Sequence, residues 1–106
     1  MSTVYLTKPK IPSLAALEAG LPKGITVHGR RSIYTTPHFT LTDGVNIIHA
    51  WEPTLEWLGK YHPPAIMQVC FERYGYNKVA PIFAKLTEAF RVTFTDEYGI
   101  DLHPDD

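Results

Sequence analysis

Apolar residues in the last third of the chain recur at intervals of three and four. Val79, Ile82, Phe83, Leu86, Phe90 and Phe94 keep that spacing, which predicts an amphipathic helix over residues 78–98. Asn77 is placed to cap its start. Pro81 falls in the first turn, where a missing N–H costs little. Gly99 followed by Ile100 reads as its stop, and the β-branched run Val92-Thr93-Phe94-Thr95 weakens it locally. Upstream, Ile66, Met67, Val69, Cys70, Phe71 and Tyr74 leave only Gln68, Glu72 and Arg73 polar. That predicts a second, largely buried helix over 64–74, entered through Pro63-Pro64 and closed by Gly75.

Residues 43–61 admit two readings. As a helix capped by Thr42, Ile47, Ile48, Trp51, Leu55 and Leu58 fall on one side of the wheel, and His49, Glu52, Glu56 and Lys60 on another. Pro53 must kink or split it. As a strand pair, Asp43-Gly44 makes a tight turn and His38 comes to face His49. The segregated wheel favours the helix.

The N-terminal half is β-like. Ile25, Val27, Ile33, Tyr34, Phe39 and Leu41 lie among Thr, Ser and His, predicting two or three short strands. Gly29-Arg30 fits a two-residue hairpin loop, with His28 opposite Arg31 and Val27 opposite Ser32. Before it, Ser13 caps a short helix, Leu14 to Ala19, closed by Gly20. Residues 1–12 alternate Pro and Lys and read as an extended arm, and the acidic tail 101–106 reads as loose. The elements together predict an α+β fold: a small N-terminal antiparallel β-hairpin or sheet packed on about three α-helices. The length, 106 residues, suits a single domain spanning 1–106.

Charge is balanced overall at −1, too even for a protein that coats nucleic acid. It is uneven along the chain. Residues 1–42 hold Lys8, Lys10, Lys23, Arg30 and Arg31 against Glu18 alone, whereas residues 43–106 carry twice as many acidic as basic side chains. Cys70 is the single cysteine, so the chain can form no internal disulfide. The N-terminus has no charged region followed by an apolar run, and no stretch reaches the length of a membrane span. The expectation is a soluble cytoplasmic protein that engages no membrane.

Catalytic motifs are missing. The seven glycines are too dispersed for a phosphate-binding loop, and no serine sits in a nucleophile-elbow context. Cys70 between Val69 and Phe71 reads as a buried apolar side chain rather than a nucleophile. Of the five histidines, His38 and His49 converge only in the strand reading, with Glu52 or Asp43 as a carboxylate beside them. Glu52 and Glu56, one helical turn apart, read as a wet helix face. The helices meeting at Gly75 invite a helix-turn-helix reading, but Val79, Ala80, Pro81 and Ile82 are poor groove readers.

The strongest candidate site is the hairpin tip: Arg30 and Arg31, with Lys23 upstream and Tyr34 and His38 following. Arginine makes forked contacts to carboxylates, and tyrosine supplies rigid contact area. This points to a non-enzymatic protein–protein interaction module without cofactor or metal. It would be a small adaptor or inhibitor of the kind phages and mobile elements carry, binding a protein with an acidic surface. Two alternatives stand beside it. One is nucleic-acid binding by the basic N-terminal half. The other is a small metal-dependent enzyme using His38, His49 and a carboxylate. Trp51, Trp57 and Tyr61 suit a core or a homodimer interface equally.

Overall fold

The computed structural model describes residues 4–33, 36–53 and 68–102. The elements run β1 (Val4–Lys8), α1 (Leu14–Ala19), β2 (Thr26–Ile33), β3 (Thr36–Thr42), β4 (Ile47–Trp51), β5 (Cys70–Arg73), α2 (Ala80–Phe90) and β6 (Thr93–Thr95). The six strands form one antiparallel sheet in the order β2-β3-β4-β5-β1-β6. This corrects the expected α+β layout. The fold is mostly β, and only two helices occur among the described residues, α1 with six residues and α2 with eleven.

Each misread segment has a physical cause. Val69, Cys70 and Phe71 are all fully buried, Phe71 towards the helices and Cys70 towards the opposite side. A strand covered on both faces loses its alternation and shows a continuous apolar run, which periodicity cannot tell from a buried helix. The same holds for Ile48, Ala50 and Trp51 in β4. The helix expected over 43–61 is therefore absent from 47–51, where the strand reading applies; residues 54–61 lie outside the described residues, as do 64–67. The helix-turn-helix has no first helix at Cys70–Arg73, because that segment is β5.

Residues 4–8 are no arm. β1 pairs with β5 on one side (Tyr5↔Phe71) and with β6 on the other (Thr7↔Phe94). The expected last helix stops at Phe90. Arg91 adopts a left-handed conformation (φ 54°, ψ 48°), and Val92 N–H donates to Thr87 O at 3.3 Å. The β-branched run beyond it becomes β6. Gly99, at φ +85°, belongs to the turn after β6 rather than to a helix stop. Leu102 beyond it packs on the core, so residues 101 and 102 are not loose.

The core fills the space between the sheet and the two helices. Phe71, Phe83 and Phe94 form its aromatic centre, with Phe83 and Phe94 stacked at 3.8 Å and Phe71 edge-on to both. Tyr5 meets Phe83 edge-on at 5.0 Å. α1 is set as the sequence predicts: Ser13 Oγ accepts the Ala16 N–H at 3.1 Å. Glu52 Oε1 also accepts the Leu14 N–H at 2.6 Å, tying the end of β4 to the helix start.

Candidate functional site

Antiparallel register sorts the side chains onto two faces. The helix-covered face takes Phe39, Leu41, Ile48, Ala50 and Phe71. Two cross-strand rows stand side by side on the other face. One runs Arg31–His38–Trp51–Cys70; the next runs Gly29–Thr40–His49–Glu72.

The first row turns inward along its length. Cys70 and Trp51 are buried, and His38, 7% exposed, stacks parallel on Trp51 at 5.5 Å. Burial pushes the Cys70 thiol up to about 12, so it stays protonated and unreactive near neutral pH. Arg31 at the sheet edge is exposed, and among the described residues it forms no ion pair.

The second row has a low end at Gly29 and Thr40 and a wall at His49. The His49 ring lies 4.8 Å from Tyr74 and 6.5 Å from His38. Tyr74, Gly29, Thr40 and Ile47, with His28, Arg30 and Arg31, border a shallow notch of about 190 Å³. A Cβ at Gly29 would meet nothing within 4 Å, so the notch opens directly onto the edge of the sheet. It is smaller than the roughly 300–1,000 Å³ usual for a small-molecule pocket.

Burial holds the His49 imidazole below its ordinary range. The Arg31 and His38 charges push the same way, and Glu72 opposes them. His49 Nδ1 is buried with no hydrogen-bond partner among the described residues. The folded state therefore favours neutral His49. The resulting stability is fully present above the unfolded value, near 6.5, and is lost as pH falls through the lower folded value. Urea unfolding of the wild type and His49→Gln at about pH 7.5 and about pH 5.5 checks this. The wild type should lose ground relative to the variant at the lower pH; an unchanged difference would contradict it.

The predicted site residues do not come together as a hairpin tip. Gly29-Arg30 lies inside β2, beside a bulge between Val27 and Gly29, and the strand continues to Ile33. Gly29 supplies the irregularity of a bulge rather than a turn. Consecutive strand residues point to opposite faces, so Arg30 and Arg31 separate. Arg30 lies over the Phe39 ring at 5.2 Å and pairs with Glu18 of α1. Lys23 is exposed in the α1–β2 turn, before the start of β2. His38 is buried against Trp51, so it supports the surface from below. Tyr34 lies outside the described residues.

The carboxylates nearest His38 and His49 in sequence are engaged elsewhere. Glu52 binds the start of α1. Asp43 Oδ1 accepts the N–H groups of Val45 and Asn46; burial works against its charge, but these bonds outweigh it and hold the carboxyl below its usual range. No three His, Cys, Asp or Glu side chains gather to hold a metal ion among the described residues.

No family model, curated protein or solved structure matches this chain. Its surface is therefore interpreted from its own geometry. Tyr74 and His49 were not singled out by sequence reasoning as part of this surface. For His49 the signal was the strand alternation of residues 47–51, obscured by the burial of Ile48, Ala50 and Trp51; Tyr74 carried none.

Asparagines organise the end of the sheet nearest Tyr74. The Ile47 N–H donates to Asn77 Oδ1, and the Lys78 N–H donates to Asn46 Oδ1, each at 3.1 Å. Asn77 Nδ2 donates to Tyr74 O at 2.6 Å. The expected helix cap at Asn77 is thus a clasp between the β3–β4 loop and the β5–α2 turn. α2 begins instead at Ala80, with Val79 at its N-cap position and no side-chain cap. The clasp fixes the backbone beneath Tyr74 and Tyr76, both exposed.

Proposed function

We propose that the protein is a non-enzymatic protein-binding module that engages an acidic partner surface through β2 and the aromatic-bordered face beside it. The observation carrying this reading is the difference between the two sheet edges. Beyond β6 the chain folds back: Thr95 bridges to Asp101, Asp96 N–H donates to Ile100 O at 2.9 Å, and Leu102 N–H donates to Phe94 O at 3.2 Å. Beyond β2 no strand follows among the described residues. An uncovered edge is a standing invitation to pair, and here it carries the exposed cation Arg31.

The geometry favours a protein over a nucleic acid as the partner. Two of the basic residues in the N-terminal half already face carboxylates, Lys8 with Asp101 at 3.1 Å and Arg30 with Glu18. That leaves no continuous run of unmatched cations for a phosphate backbone.

Arg31→Glu is the direct test. Arg31 is exposed, so its replacement should leave stability within about 0.5 kcal/mol of the wild type. Quantitative affinity capture from the native host should recover a specific protein on the wild type and at least about tenfold less of it on the variant. Equal recovery on both baits would overturn the reading. Recovery of nucleic acid alone, lost steeply as salt rises, would replace it.

A further inference from the structure

The outer side of β2 has a definite hydrogen-bonding pattern. Ser32 stands opposite Pro37, which has no N–H to give, so that pair belongs to the non-hydrogen-bonded set of the antiparallel ladder. Alternation then puts Arg31↔His38 in the hydrogen-bonded set and Arg30↔Phe39 in the other. The backbone N–H and C=O groups of Arg30 and Ser32 therefore face away from β3. They form a short template for another strand, and the bulge at Val27/Gly29 sets its limit.

Side chains around that template are selective. Arg31 projects on the notch side, whereas Arg30 on the helix side is already matched by Glu18, so a strand laid along β2 meets the unmatched guanidinium of Arg31 on its notch face. On the notch side, Gly29 and Thr40 leave a bare floor ending at His49 and Tyr74. An edge glycine of this kind is covered well by a large side chain on the neighbouring strand. A second copy of β2 is a poor occupant, because antiparallel pairing centred on Arg30 or on Arg31 sets that guanidinium against its own equivalent.

We propose, resting on the protein-binding reading, that β2 accepts an extended acidic segment of a partner protein as a seventh strand, with a large side chain of that segment laid over Gly29. Main-chain hydrogen bonds to Arg30 and Ser32 supply affinity. A carboxylate beside Arg31 and the side chain in the Gly29 notch supply specificity.

The test titrates isotopically labelled full-length protein with synthetic peptides of eight residues, the length of β2. One peptide alternates Glu with Tyr and Val. A second replaces every Glu by Lys, and a third is the acidic peptide N-methylated at alternate residues, which removes main-chain donors. The acidic peptide should shift the amide signals of Arg30 and Ser32. The Lys and N-methylated peptides should each bind at least about tenfold more weakly. Gly29→Val fills open space at a φ outside the left-handed region, and it should weaken the acidic peptide to a similar degree. N-methylated and parent peptides binding alike, shifts confined to another surface, or self-association in place of peptide binding would each overturn the seventh-strand inference. If the acidic peptide fails while the host protein is still lost on Arg31→Glu, the inference falls and the protein-binding reading stands. If Arg31→Glu leaves host-protein recovery unchanged, the protein-binding reading falls as well.

Discussion

A chain lacking residues 1–8 should not fold. These residues look dispensable in the sequence, but β1 is the link between β5 and β6. Its removal parts the sheet at Val4↔Glu72 and Tyr5↔Phe71 on one side, and at Leu6↔Thr95, Thr7↔Phe94 and Lys8↔Thr93 on the other. It also takes away Tyr5 and Leu6, each almost completely buried. Two such side chains account for about 3–6 kcal/mol before any ladder hydrogen bond is counted. A domain of this size has about 5–15 kcal/mol in all. The truncated protein should show no cooperative thermal transition and no near-ultraviolet circular dichroism. Were residues 1–8 a mere arm, the two chains would melt together.

Phe71→Ala should cost about 3–5 kcal/mol, among the largest effects of any single substitution in this chain. Phe71 is fully buried in β5 with Ala50 of β4 on one side and Tyr5 of β1 on the other. Its ring lies 6.1 Å from Phe83 and 5.2 Å from Phe94, edge-on to both. Truncation leaves a cavity that neither ring can fill without breaking their stack. The urea midpoint should fall sharply with an unchanged slope, whereas a loss under about 1 kcal/mol would show that the core is centred elsewhere.

Local chemistry was legible where it depends on a few neighbouring residues. Ser13 caps Leu14–Ala19 as expected, and the apolar spacing Ile82, Phe83, Leu86 forms the buried stripe of α2. The burial of Cys70 was legible too, although its element was not. Non-local pairing was hidden. Trp51 and Cys70 oppose each other across β4 and β5 on the face away from the helices, and that second layer of burial made both strands resemble helices. The candidate surface was legible in part. Arg31 is exposed on the edge strand, but the partition of Arg30 and Arg31 follows from strand register. A glycine suited to a turn is equally suited to a bulge, and only the pairing of β2 with β3 decides between them.

Residue-resolved amide hydrogen exchange on the unmodified chain tests the central claim most directly, because it reads both sheet edges at once. A continuous sheet whose open edge among the described residues is β2 requires slow exchange at Tyr5, Leu6 and Thr7, comparable with that of Phe71. It requires fast exchange at Arg30 and Ser32 beside slow exchange at Arg31. Rapid exchange throughout residues 4–8, or protection of Arg30 and Ser32 equal to that of Arg31, would contradict the account.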